Sequence, residues 1–125
     1  MRTQRQLRVG EEIRHAIAHR IMRGDVPWPQ GLGVPGVTVT EVQVSPDLKN
    51  ATVYAMPLGG QNVKQTIAAL NDLVWFFRQE VAHSIKLRYT PKLRFSADDS
   101  FDYAERIEKI LLDPVVAKDL NPHEE

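Results

Sequence analysis

The side chains of this chain best placed to act on another molecule are cationic. The stretch "IKLRYTPKLRF" (residues 85–95) sets Lys86, Arg88, Lys92 and Arg94 between Ile85, Leu87, Leu93 and Phe95, with no acid in the run. Where such a stretch is extended, successive side chains point to opposite faces, so the apolar set turns to a core and the cationic set turns outward. Lys and Arg displayed in this way neutralise phosphate, which supplies affinity for nucleic acid without reading its sequence.

Other combinations carry less. His15 and His19 stand at i, i+4 and share a helix side, but a zinc site needs at least a third ligand, and "EEIRH" is not the H-E-x-x-H order of a metalloprotease. They read as two exposed helix histidines. Ser45, Ser84, Ser96 and Ser100 lack a nucleophile-elbow context. Asp98, Asp99 and Asp102 are acids at a helix start, where they stabilise the helix dipole without doing chemistry. No set supplies an acid, a base and an oriented third group, so the chain reads as a non-enzyme with no metal and no cofactor. "GLGVPG" (31–36) fits the dinucleotide pattern by letter. That pattern works only between a strand and the helix it opens, and here a helix precedes it and a strand follows, so it is a loop.

The elements that must position the cations follow from periodicity. Thr3 and Gln6 fit a capping box for a helix over 3–23, with Val9, Ile13, Ala16, Ile17 and Ile21 as its apolar stripe and Gly24 as its stop. Arg5 and Arg8 lie towards the opposite side. "VTVTEVQV" (37–44) and "ATVYAMP" (51–57) are rich in β-branched residues and flank the turn residues "SPDLKN", which is a hairpin. Residues 61–86 form a helical pattern with Val63, Ile67, Leu70, Val74, Phe77, Val81 and Ile85 on one face. Trp75 and Phe76 fall off that face, so a second surface covers them or the helix breaks near 74–76. For Trp75, burial is the expected role and stacking on a base the alternative. A strand is expected from near Arg88 to 96, then a short helix in "DDSFDYAERIEKILLD" and a frayed end. The order α-β-β-α-β-α suggests an α+β domain with a three-stranded sheet covered by helices on one face.

Composition sets the outer limits. The chain has 125 residues and no Cys, which removes disulfides and thiol chemistry. Neither a secretion signal nor a membrane span is evident, so a cytoplasmic protein is expected. The zero net charge conceals an asymmetry. Residues 1–95 hold 13 Lys/Arg against 7 Asp/Glu, whereas residues 96–125 hold 3 against 9. Such a division suggests a body facing nucleic acid and an acidic tail.

Two blocks resemble one bacterial family. In "VTVTEVQVSPDLKNATVYAMP", Val44, Ser45, Asp47, Leu48, Ala51, Val53 and Tyr54 look like the hairpin of ribosome-binding factor A. "LRYTPKLRFSADDS" is similar to its other signature at Arg88, Thr90, Pro91, Leu93, Phe95, Asp99 and Ser100. The resemblance covers about residues 4–112 and implies a type II KH-like fold, α-β-β-α-kink-α-β. A KH-like ribosome-binding domain is expected over 1–112, followed by an acidic, flexible tail over 113–125. The resemblance implies a non-catalytic monomer that binds the free 30S ribosomal subunit and 16S rRNA during late maturation and 5′-end processing, with a link to growth in the cold. The alternatives are a general single-stranded RNA binder and a protein-interaction module. The family replaces the RNA-gripping G-x-x-G loop of other KH domains by an Ala-x-Gly kink, and here Leu73 and Trp75 occupy those two positions. Without that loop, RNA affinity must come from cations, and the candidates are Arg5, Arg8, Arg78, His83, Lys86, Arg88, Lys92 and Arg94.

Overall fold

The structure, a computed structural model, describes residues 2–30 and 36–98. Helix α1 (Gln4–Met22) leads through a loop to strands β1 (Val37–Val44) and β2 (Asn50–Pro57). A single 3-10 turn (Leu58–Gly60) precedes helices α2 (Val63–Asp72) and α3 (Val74–Ser84), and strand β3 (Lys92–Ala97) follows. The expected short C-terminal helix, the acidic tail and residues 31–35 of "GLGVPG" lie outside the described residues.

Local signals account for the element ends. The capping box is present: Thr3 Oγ1 accepts from the Gln6 N–H at 3.1 Å, and Gln6 Oε1 accepts from the Thr3 N–H at 2.8 Å. Gln6 is buried and also donates from Nε2 to the Val44 carbonyl at 2.8 Å, which ties the start of α1 to the end of β1. Gly24 ends the helix in the left-handed region, at φ 76°. The hairpin turn closes through Ser45, whose N–H donates to the Asn50 carbonyl and whose Oγ accepts from the Asn50 N–H.

The sheet order is β1-β2-β3. β1 and β2 pair antiparallel, with Val42 opposite Val53 and Val44 opposite Ala51. β2 and β3 pair parallel, with Ala51 opposite Leu93 and Val53 opposite Phe95. The connection between them is the α2–α3 segment, as a parallel crossover requires. The helices pack on the face carrying Val42, Val53 and Phe95. Val9, Ile13 and Ile17 of α1, Leu70 of α2 and Phe77 and Val81 of α3 complete this core. The Phe77 and Phe95 rings meet at 5.3 Å between centroids. Gly10 lies where α1 crosses β1, and a Cβ there would stand 2.6 Å from the Val42 carbonyl oxygen. The opposite face of the sheet carries Glu41, Gln43, Thr52, Lys92 and Arg94.

The long helical pattern does break, at Leu73. This residue takes φ −101° and ψ 17°, its N–H is shared between the Ala69 and Leu70 carbonyls, and its own carbonyl accepts from Phe76 and Phe77. That bridge-region geometry is open to any L-residue, so the break needs no glycine, and Trp75 in the second kink position is simply helical. After the break the buried set shifts, from Thr66, Ala69 and Leu70 in α2 to Phe77 and Val81 in α3. Two expectations are corrected. Trp75 is 56% exposed, because the break turns it away from the core while Leu73 takes the buried position. The last strand begins at Lys92 and not near Arg88. Pro91, which has no N–H, is buried just ahead of it, and the segment between Ile85 and Pro91 is irregular.

Candidate nucleic-acid interface

Parallel pairing of β2 with β3 brings distant segments to one end of the sheet. The β1–β2 turn, the start of β3 and the first turn of α1 meet there. The Lys92 N–H donates to the Lys49 carbonyl at 2.8 Å, so the turn and the strand start are joined directly. A cleft of about 320 Å³ opens at this end, lined by Arg5, Pro46, Asp47, Leu48, Lys49, Leu87, Arg88 and Tyr89. Tyr89 is 59% exposed. The Lys49 ammonium lies 5.9 Å from its ring centroid and the Arg88 guanidinium 5.6 Å, both near the outer limit of a cation–π contact.

Side-chain hydrogen bonds fix the turn that presents Lys49. Asp47 Oδ1 accepts from Ser45 Oγ at 2.6 Å and from the Lys49 N–H at 3.0 Å. The Ser45 hydroxyl, with the Lys49 N–H, holds the Asp47 carboxyl below its ordinary pKa, so it remains ionised at neutral pH. Leu48 takes φ 61° to complete the turn.

The eight expected residues are distributed unevenly. Arg5 and Arg88 share the cleft. Lys92 follows it at the sheet edge, and Arg94 comes next on the open face, opposite Thr52. Lys86 is exposed in the irregular segment that leads to Arg88. Arg8 is exposed one turn along α1, with its Nε 3.8 Å from Glu12. Arg78 serves the fold: its Nε donates to the Pro91 carbonyl at 3.3 Å and its Nη2 to the Thr90 carbonyl at 3.0 Å, which anchors the chain entering β3. His83 is exposed on the last turn of α3 and does not line the cleft. Lys49 and Tyr89 were not expected at the site. They reach it because β3 pairs parallel with β2, which puts residues 45–50 beside residues 85–91.

Ion pairing differs among the cations: Arg2 pairs with Glu41 at 3.4 Å, and Lys64 on α2 and Arg78 on α3 have no acid within 4.0 Å among the described residues. In the body of α1 and just beyond, Arg14 pairs with Glu11 at 2.8 Å, Arg20 with Asp25 at 3.4 Å and Arg23 with Asp25 at 3.5 Å. Among the described residues, Arg5, Lys49, Lys86, Arg88, Lys92 and Arg94 have no acid within 4.0 Å. A second groove, between α1 and α3, holds His15, His19, Glu12 and Glu80. Among the described residues no group of three potential ligands could hold a metal ion. No described helix is long and apolar enough to cross a membrane.

Residues 5–111 match the family model described as ribosome-binding factor A. The ribosome-binding factor A of Afipia carboxidovorans is 53% identical over 119 residues, which span 95% of this chain and 84% of that protein. The solution structure of a Thermotoga maritima protein assigned to the same family is 27% identical, with a TM-score of 0.62 over 77% of this chain and 89% of that one. A Thermus thermophilus ribosome-binding factor A, fitted into a map of its complex with the 30S subunit, shares the fold at 20% identity. Its TM-score is 0.57, over 72% of this chain and 91% of that one.

Proposed function

This chain belongs to the ribosome-binding factor A family, and from that premise we propose that it binds the free 30S ribosomal subunit, through 16S rRNA, during late maturation and 5′-end processing. It acts by occupying RNA and not by catalysis, as a cytoplasmic monomer, and its contribution is greatest in the cold, where misfolded RNA is slow to rearrange.

The observation that carries this reading is the division between paired and unpaired cations. Six Lys and Arg side chains at and beside one end of the sheet lack a neighbouring acid among the described residues, while Arg2 near that end and Arg8, Arg14, Arg20 and Arg23 along and just beyond α1 each have one. Carboxylate-paired cations have little left to offer phosphate. Unpaired, exposed ones release counterions from RNA on contact, and their effects add. The Thermus relative's 30S complex supports the choice of partner.

Sedimentation of the tagged protein through a sucrose gradient tests the proposal. Co-migration with free small subunits and absence from 70S ribosomes is the expected result. Equal binding to unrelated single-stranded RNA would favour a general RNA binder instead.

A further inference from the structure

The cleft at the end of the sheet combines features that a patch for phosphate alone does not need. A phosphate-binding surface requires exposed cations and nothing else. Here an aromatic ring stands exposed among three of them, Arg5, Lys49 and Arg88, and Asp47 forms part of the wall. No ion pair within 4.0 Å joins Asp47 to any of the three, and its hydrogen bonds go to the turn. Its Oδ1 is taken by Ser45 and by the Lys49 N–H, while Oδ2 accepts no hydrogen bond among the described residues. The cleft, at about 320 Å³, is at the small end of ligand-sized sites.

We propose that this cleft receives one unpaired nucleotide of the bound RNA, with its base stacked on Tyr89 and its phosphate among Arg5, Lys49 and Arg88. The inference rests on the RNA-binding function above and adds a site to it. Asp47 sets the orientation. Its fixed negative charge excludes phosphate from its own side of the cleft, and Oδ2 accepts an N–H from the base edge. Every base carries such a donor, so the site selects an unstacked nucleotide and not a particular base. A base inside a duplex has no free face and cannot enter.

Two labelled eight-residue strands provide the test: one of alternating adenine and cytosine ribonucleotides, which cannot pair with itself, the other an abasic strand with the same phosphates. Binding is followed by fluorescence anisotropy at about 50 mM salt, where phosphate contacts are strong. Wild-type protein should prefer the base-bearing strand by about fivefold or more. Y89F should keep that preference. Y89A and Y89L should both lose it, the second guarding against an effect of lost packing. K49Q should weaken both strands alike and keep the ratio. A preference that survives in Y89L, or no preference in wild type, overturns the proposal. Co-sedimentation with small subunits is measured on the same preparations. Wild-type protein that co-sediments without any base preference refutes the nucleotide site alone, whereas failure to co-sediment refutes the function on which it rests.

Discussion

Replacing Gly10 by Ala sets two effects of opposite sign against each other. In an isolated helix the change is favourable by about 1 kcal/mol, because Gly loses more backbone entropy on folding than Ala. In this fold the new Cβ would stand 2.6 Å from the Val42 carbonyl oxygen, closer than real contacts come. That oxygen is part of the backbone of β1, which is paired with β2 from Glu41 to Val44, so it cannot rotate aside. Helix α1 must instead lift by roughly 0.8 Å to reach an ordinary contact, and a gap of that size forfeits a quarter to a half of the dispersion attraction of the atoms it separates. The affected atoms are those of Val9, Ile13 and Ile17 against the sheet, all buried. Overpacking of this kind costs up to about 3 kcal/mol, so the net loss is about 2 kcal/mol. For a domain of this size that lowers Tm by about 8 °C, and thermal and urea unfolding both read it. A G10A protein with unchanged or raised Tm would show that helix propensity wins and that α1 does not press on β1 as described.

Further perturbations test other joints. Asn71 accepts from the Phe95 N–H at 2.8 Å and donates to the Phe95 carbonyl at 3.0 Å, covering the outer edge of β3 as a further strand would; N71A should lose about 1–3 kcal/mol in urea unfolding, and N71D should not restore it because it removes the donor. W75A should cost about 1 kcal/mol or less in the same assay, since the ring is largely in water, whereas F77A should cost about 3–5 kcal/mol. The folded-state pKa of Asp47 is lowered by Ser45 and Lys49, so its stabilisation of the turn is complete above the unfolded-state value and is lost as pH falls through the lowered one; proton titration by NMR should give a pKa below that of an unstructured Asp, and S45A should raise it.

The elements were legible where one residue pattern determined one geometry. Thr3 and Gln6 marked the start of α1, the β-branched runs marked the hairpin, and the 63–85 stripe marked the helical segment that packs on it. The alternation of Lys92, Leu93, Arg94 and Phe95 marks the last strand, but the strand starts at Lys92 and not near Arg88, because the chain between the end of the helical stripe at Ile85 and Pro91 is irregular. Trp75 departs from its expected burial for a different reason. Ring size argues for burial, but the direction a helical side chain faces depends on the phase of its helix, and the break at Leu73 changed that phase. The site was legible only in its cations. Recognising Lys49 and Tyr89 required the strand direction of β3, and recognising Arg78 as an anchor required the positions of the Thr90 and Pro91 carbonyls. These are tertiary facts that composition and periodicity do not contain.

On the proposed function, the unpaired cations at one end of the sheet hold the RNA. The direct measurement is the salt dependence of affinity for free 30S subunits. Wild type is compared with a protein carrying R5Q, K49Q, R88Q and K92Q together, and with R23Q as control. Arg23 is exposed, already paired with Asp25 at 3.5 Å, and about 27 Å from Arg5 along α1. Each phosphate contact contributes about 0.7 to the slope of log affinity against log salt on single strands. The fourfold variant should therefore lose about 3 from that slope along with most of its affinity, while R23Q leaves both unchanged. A slope that is the same in all three proteins, or a flat dependence in wild type, would mean that protein contacts hold the subunit and that these cations do not.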